Sequence, residues 1–195
     1  GTYTWLRKGR FSTVTPAVRD DRALGSKVIH STSFDSDWGG WSYYDNQGSI
    51  GRTDQDDPHS GSYHVRAVSE DFDNGPLLVR SISTQGFENI ELSYWRKDSG
   101  LESDEDRFVA WWHDGTSWQI LEWGEPVQGT WTNRTYALPV GASDNADLRL
   151  AFQFRGDHSS DEFYLDDVRV TGDPISTQEF IVDFSAAGYS VDESV

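Results

Sequence analysis

Asp161-Glu162-Phe163-Tyr164-Leu165-Asp166-Asp167-Val168-Arg169-Val170-Thr171-Gly172 decides how this chain is read. Aromatic and β-branched residues, closed by Gly172-Asp173-Pro174, predict a strand. Two adjacent carboxylates sit in its middle. A buried carboxylate is costly unless it is hydrogen-bonded, paired or bound to a metal. Leu165 and Val168 are three residues apart, so a strict period of two does not bring both inward. A bulge at Asp166-Asp167 restores the parity and aims the carboxylates at a common point. Two readings stand side by side. Either one Asp faces solvent while the other caps a loop, or the pair holds a structural metal. For hard oxygen ligands that metal is Ca²⁺.

Outward from this strand, apolar periodicity is almost all two-fold. Ile90, Leu92 and Tyr94 alternate with Glu91, Ser93 and Trp95. Leu148, Leu150, Phe152 and Phe154 alternate with Arg149, Ala151, Gln153 and Arg155. Tyr63, Val65 and Ala67 alternate with His64, Arg66 and Val68. Further strands are predicted at 77–83, 107–113, 117–123, 132–138 and 162–170. Gly, Asn and Asp clusters separate them, and Asp114-Gly115 between two aromatic runs is a hairpin signal. Short strands at this spacing predict an all-β, antiparallel sandwich. The regular pattern fills 34–172. Residues 1–33 carry Tyr3-Thr4-Trp5-Leu6, Phe11-Ser12-Thr13-Val14 and Val28-Ile29 among polar material. Residues 173–195 carry one alternating strand, 178–184, and an acidic tail. These ends are expected to add edge strands to the sandwich, or to pair with a neighbouring molecule.

Composition narrows the function. The 195 residues carry a net charge of −17, with no cysteine and no methionine. Disulfides and thiol-ligated metals are therefore excluded. Phosphate-backbone binding is not expected, because no basic stripe exists to displace counterions. No run approaches the roughly 18 apolar residues of a membrane span. Nine Trp, eight Tyr and ten Phe supply a core despite 35% hydrophobic content.

Catalytic signatures are missing. Adjacent carboxylates on a strand point to opposite faces, whereas a glycosidase needs two carboxyls roughly 5–10 Å apart across a cleft. No H-E-x-x-H, G-x-S-x-G, P-loop or dinucleotide pattern occurs. A non-enzyme is expected. The loop Ser99-Gly100-Leu101-Glu102-Ser103-Asp104-Glu105-Asp106 reads as a solvated acidic loop or as a second cation site. With Leu92/Tyr94 and Leu150/Phe152 facing the core, Trp95, Gln153 and Arg155 face outward. Trp111 and His113 share one face of their own strand, and the expected ligand platform joins all five. Indole stacks on the C–H face of a pyranose while polar groups bond its hydroxyls. The plainer alternative buries Trp111 and Trp112 on opposite sides of a central strand. Trp38, Trp41, Trp118, Trp123 and Trp131 read as core residues or loop plugs.

Four motifs, in order, resemble MAM-like and carbohydrate-binding-module-like jelly rolls of secreted microbial proteins. They are Phe34-Asp35-Ser36-Asp37-Trp38-Gly39-Gly40-Trp41, His59-Ser60-Gly61-Ser62-Tyr63-His64-Val65, Ile90-Glu91-Leu92-Ser93-Tyr94-Trp95 and Phe163-Tyr164-Leu165-Asp166-Asp167-Val168. The resemblance covers 34–172, without the cysteines of animal MAM domains. It implies a two-sheet jelly roll without catalysis, with a cation near the first strand and the Asp-Asp strand. Carried over, that names Asp35 and Asp166, with Asp167 and a carbonyl near Ser60 as partners. The expectation is thus a calcium-stabilised, extracellular or cell-surface module that binds glycan or mediates adhesion. The alternative is a subunit of an extracellular filament or sheath, assembled through terminal strands.

Overall fold

A computed structural model describes residues 25–102 and 105–175. The strand read from 162–170 is β11 (Glu162–Pro174), 13 residues long. Along one edge it pairs antiparallel with β6 (Phe87–Ser99). Its other edge is shared. β4 (His64–Ser69) pairs with Glu162 to Leu165, and β1 (Lys27–Thr32) pairs with Val168 to Gly172. The handover falls on Asp166-Asp167. There the register against β6 slips between Asp166 and Arg169, and Asp167 takes a φ of 48°. Leu165 and Val168 are both fully buried, as the parity argument requires.

β3 (Gly48–Thr53) and β9 (Thr132–Ala137) complete a six-stranded sheet. Its order is β3-β4-β11-β6-β9, with β1 also on β11. The second sheet has five strands in the order β2-β5-β10-β7-β8. These are β2 (Ser42–Tyr44), β5 (Leu77–Ile82), β10 (Leu148–Arg155), β7 (Arg107–His113) and β8 (Trp118–Gly124). All pairings are antiparallel, and the fold is an all-β, two-sheet jelly-roll sandwich. The described residues contain no α-helix, only a 3₁₀ turn at Val140–Ala142.

Alternation builds the core as expected. Leu148, Leu150, Phe152 and Phe154 point inward from β10 and meet Leu92, Tyr94 and Phe108. Tyr94 meets Phe152 edge-on with ring centroids 4.8 Å apart. The Asp114-Gly115 hairpin joins β7 to β8. Asp114 Oδ1 accepts the amides of Thr116 and Ser117, and Gly115 supplies the positive φ of 100°. These hydrogen bonds, the Thr116 hydroxyl first, hold the Asp114 carboxyl down at about 2.

Two strands escape the sequence pattern. β2 is Ser-Tyr-Tyr, and β3 is Gly-Ser-Ile-Gly-Arg-Thr with a single buried apolar residue, Ile50. β1 holds the Val28-Ile29 segment of the N-terminal extension and pairs with β11 of its own chain. The segments at 3–6, 11–14 and 178–184, on which strand exchange between molecules would rest, lie outside the described residues.

One end of the interior is ionic. Arg96 extends inward from β6 beyond Tyr94 and is fully buried, as is Asp98. Arg96 lies 3.3 Å from Asp98 and 3.3 Å from Glu122 of the facing sheet. It also donates to the carbonyl of Glu125 at 2.6 Å. Glu122 takes further hydrogen bonds from Arg134 and from the Tyr94 hydroxyl. Asp98 accepts the amides of Val127 and Gln128, tying the β8–β9 loop to β6. Removing one member leaves buried charge uncompensated, so Arg96→Ala is expected to cost about 3–5 kcal/mol. Urea unfolding measures it. A loss within experimental error of zero would show that the network does not hold the two sheets together.

Candidate functional site

The outer face of the five-stranded sheet is laid out by its register. One row across the strands is Trp118, His113, Arg149 and Ser81. The next is Ile120, Trp111, Ala151, Val79 and Ser42. A third is Trp123, Val109, Gln153, Leu77 and Tyr44. Arg107 opposite Arg155 closes the face. No strand position on it is Asp or Glu, although the chain carries a net charge of −17. Trp118, Ile120 and Trp123 remain 41%, 48% and 42% exposed. A monomeric soluble fold rarely leaves so much large apolar surface together without a use for it.

Four of the five residues expected on a common platform are brought together here: Trp111, His113, Gln153 and Arg155. Trp111 is half-buried on this face while Trp112 packs into the core. His113 meets Trp118 edge-on at 5.0 Å. Arg155 is held over Phe72 at 4.4 Å and over Trp123 at 5.2 Å. It also donates to the Phe72 carbonyl and to Asp73. Gln153 donates to the Asp73 carbonyl at 3.3 Å. The β5-preceding loop is thereby fastened to the rim of the face.

Trp118 and Trp123 belong to the platform, although their sequence context reads as core or loop plugs. Five residues apart, they fall on opposite faces of a regular strand. The register slip between Ala110 and Trp111 against β8 inserts one extra residue at Leu121 and puts both indoles outside. Ile120 and Trp123 then share a face, while Glu122 turns inward to the ionic network.

Trp95 does not join them. It projects from β6, in the six-stranded sheet, and so stands on the opposite side of the sandwich. The His59 ring stacks on it at 3.8 Å. Alternation fixes inward against outward but not which sheet a strand joins, and Trp95 and Trp111 are outward on different sheets. Trp95 instead lines a polar groove with Ser93, Asn133, Asp167, Arg169 and Asp37.

The Asp-Asp bulge locks one loop. Asp166 is fully buried and accepts the amides of Ser60 at 3.2 Å and of Asp167 at 2.7 Å. Asp167 accepts the Ser60 hydroxyl at 2.9 Å and lies 2.7 Å from His59 Nδ1. Asp35, just after β1, accepts the amides of Ser62 and Tyr63 and the hydroxyl of Ser33. Three carboxylates from two distant parts of the chain thus converge on residues 59–63. Ligand atoms of His59, Asp166 and Asp167 lie within 4.8 Å of one another. Asp35 is not a member of that group. Burial pushes the Asp166 carboxyl up to about 6, against the pull of the Ser60 amide.

No family model and no curated protein matches this sequence. Solved structures do match its fold. The Clostridium thermocellum endo-1,4-β-D-xylanase 10B CBM22-1–GH10 modules, complexed with xylohexaose, match at 16% identity and a TM-score of 0.58. That alignment covers 78% of this chain and 30% of the other, so the chain spans less than a third of that protein. The CBM22-1 xylan-binding domain of Paenibacillus barcinonensis Xyn10C matches at 16% identity and 0.55, over 77% of this chain and 97% of the domain. TmCBM61 in complex with β-1,4-galactotriose matches at 12% and 0.56, over 72% and 94%. The fold is the jelly roll of carbohydrate-binding modules.

Within this carbohydrate-binding-module fold, the outer side of the six-stranded sheet carries one buried, uncharged histidine. His64 packs edge-on between Trp131 at 5.6 Å and Tyr164 at 5.4 Å. It is fully buried, and neither ring nitrogen has a hydrogen-bond partner among the described residues. Burial, aided by Lys97, lowers it from 6.5 to about 4. The unfolded chain therefore takes up the proton first, and stability is lost as pH falls from about 6.5 towards 4. His64→Phe removes that loss. Relative to the native chain, the variant is expected to gain roughly 2–3 kcal/mol between pH 7 and pH 4.5. Urea unfolding at the two pH values measures it; the same difference at both would mean that His64 is not held neutral by burial.

Proposed function

We propose that this chain is a non-catalytic, extracellular glycan-binding module whose ligand lies across the outer face of the five-stranded sheet. The observation that carries the reading is the set of indoles Trp118, Trp111 and Trp123 on a face with no outward strand position occupied by a carboxylate. Indole faces take the C–H side of pyranose rings, and Arg149 and Gln153 stand beside them for hydroxyl groups. A strand rises ~3.3 Å per residue, so the five residues from Trp118 to Trp123 span roughly 15 Å. That length suits an oligosaccharide rather than a single sugar. Two neighbours with this fold are named for complexes with xylohexaose and β-1,4-galactotriose, which supports a β-1,4-linked, uncharged chain as the ligand class. The two carboxyl groups a glycosidase needs are not on this face. Binding is by stacking and hydroxyl bonding, not by charge pairing.

Calorimetric titration with xylohexaose and with β-1,4-galactotriose tests the reading. Trp111→Ala and Trp123→Ala are each expected to weaken binding about tenfold, equivalent to ~1.4 kcal/mol. Trp95→Ala, on the far side of the sandwich, is expected to leave it unchanged. Native affinity in both platform variants would rule the face out.

The reading includes a structural calcium ion at the Asp-Asp bulge. The residues suit it chemically: Asp166 and Asp167 offer hard oxygens beside each other on one side of β11, and the buried Asp166 charge has no basic partner among the described ion pairs. Asp166 and Asp167 would hold the ion, with Asp35 keeping the 59–63 loop in place. Calcium that binds only the folded state raises Tm, and chelation lowers it. Thermal unfolding of the native chain and of Asp166→Asn, each with calcium and with excess EDTA, is the measurement. A smaller calcium effect in Asp166→Asn is expected. An equal effect in both would place the ion elsewhere.

A further inference from the structure

We infer that the chain holds a second calcium ion, at the end of the sandwich where the β6–β7 and β10–β11 loops meet, bound by Glu102, Asp106, Asp157 and Asp161. Ligand oxygens of these four residues all lie within 4.8 Å of one another. Calcium takes oxygen ligands at ~2.3–2.6 Å, so two oxygens on opposite sides of the ion stand about 5 Å apart. The cluster has the dimensions of a coordination shell before any ion is added.

Burial makes the case independent of the acid count. Asp106 and Asp161 are fully buried, whereas Glu102 and Asp157 reach solvent. Asp161 is well served: its Oδ2 accepts the amides of Asp157 and His158. Asp106 is not. Its Oδ2 accepts the Glu102 amide at 2.8 Å, but its Oδ1 is buried without a hydrogen-bond partner, amid three other carboxyl groups. None of the four has a basic partner among the described ion pairs. An unpaired buried carboxylate oxygen facing like charges is one of the most costly arrangements a fold can contain. A divalent cation removes the cost at once.

The chain is shaped to hold this geometry. Gly100, at φ 82°, lets the first loop pass so close that an added Cβ would lie 2.3 Å from the Ser160 carbonyl of the other. Gly156 similarly leaves room for Asp161, whose Cβ would sit 2.7 Å from an added one. Leu101, buried between them in sequence, anchors the first loop in the core. All four ligands are carboxylates, with no imidazole or thiolate, which selects calcium over zinc or copper. Magnesium demands shorter bonds and a near-ideal octahedron with retained waters, so it binds more weakly in a shell of this width.

Calorimetric titration of calcium into the chelator-treated full chain tests the site. The double variant Glu102→Gln/Asp157→Asn changes only exposed ligands, and its Tm in EDTA is expected to be no lower than that of the native chain. Its calcium affinity at this site is expected to fall at least about tenfold, since ligand charge sets affinity. The same site is expected to persist in Asp167→Asn, which alters only the bulge. Asp106→Asn, if it folds, is expected to raise Tm in EDTA and to lose the calcium-induced rise from this site. Magnesium is expected to compete poorly. Native calcium stoichiometry and affinity in the double variant, or no calcium binding by the native chain up to millimolar concentration, would overturn the proposal.

Discussion

The structure depends on one handover. β11 is paired along its whole length by β6, but its other edge passes from β4 to β1 at Asp166-Asp167. Neither neighbour extends past that step, so the sheet would carry a gap there. The bulge fills it in two ways. It turns the inward parity from Phe163 and Leu165 to Val168 and Val170, keeping both halves of the strand in the core. It also presents two carboxylates to the loop before β4, which they hold through Ser60 and His59. Were the same residues paired without the bulge, every side chain after Asp166 would change face, exposing Val168 and Val170 and burying Arg169. Asp35 fastens the same loop from the end of β1. The first described strand, the β3–β4 loop and the last strand are thus joined at one place by carboxylates accepting hydrogen bonds.

Legibility in the sequence follows from where alternation holds. It holds on β6, β7 and β10, and these strands placed Leu92, Tyr94, Leu150 and Phe152 inward and Trp111, His113, Gln153 and Arg155 outward. The bulge on β11 was readable because Leu165 and Val168 differ in parity and both are strongly apolar. The bulge on β8 was not, because Trp118, Ile120, Leu121 and Trp123 offer apolar side chains in both registers and only the pairing with β7 decides between them. Sheet membership is a different order of information. Trp95 and Trp111 are both outward, and nothing local to either strand says that β6 and β7 belong to opposite sheets. β2 and β3 lack apolar alternation altogether and exist as strands because β5 and β4 offer them a free edge.

Charge is segregated rather than spread. The acidic excess is absent from the strands of the aromatic face and gathers in turns and loops, where Asp114, Asp144 and Asp71 cap backbone amides. Inside, acid is admitted only with compensation: Glu122 and Asp98 share Arg96, and Asp166 has the amides of the bulge. The exception is Asp106. Judged by the other buried carboxylates, each of which keeps amide, hydroxyl or arginine partners, its bare oxygen is an incomplete site and not a tolerated defect.

The position of that exception matters for the aromatic face. Asp106 directly precedes Arg107, and Asp157 follows Arg155 by two residues, while Arg107 and Arg155 are register partners at the end of the platform. Arg155 is the side chain that fixes Phe72 and Trp123 relative to each other. The four carboxylates, of which only Asp161 has two amide donors, repel one another a few residues away and favour loop conformations in which the acids separate. Neutralising the cluster removes that repulsion, while Arg155 stays held by Phe72, Trp123 and Asp73. The acidic loops thus run directly into β7 and β10, whose paired backbone carries this end of the aromatic face.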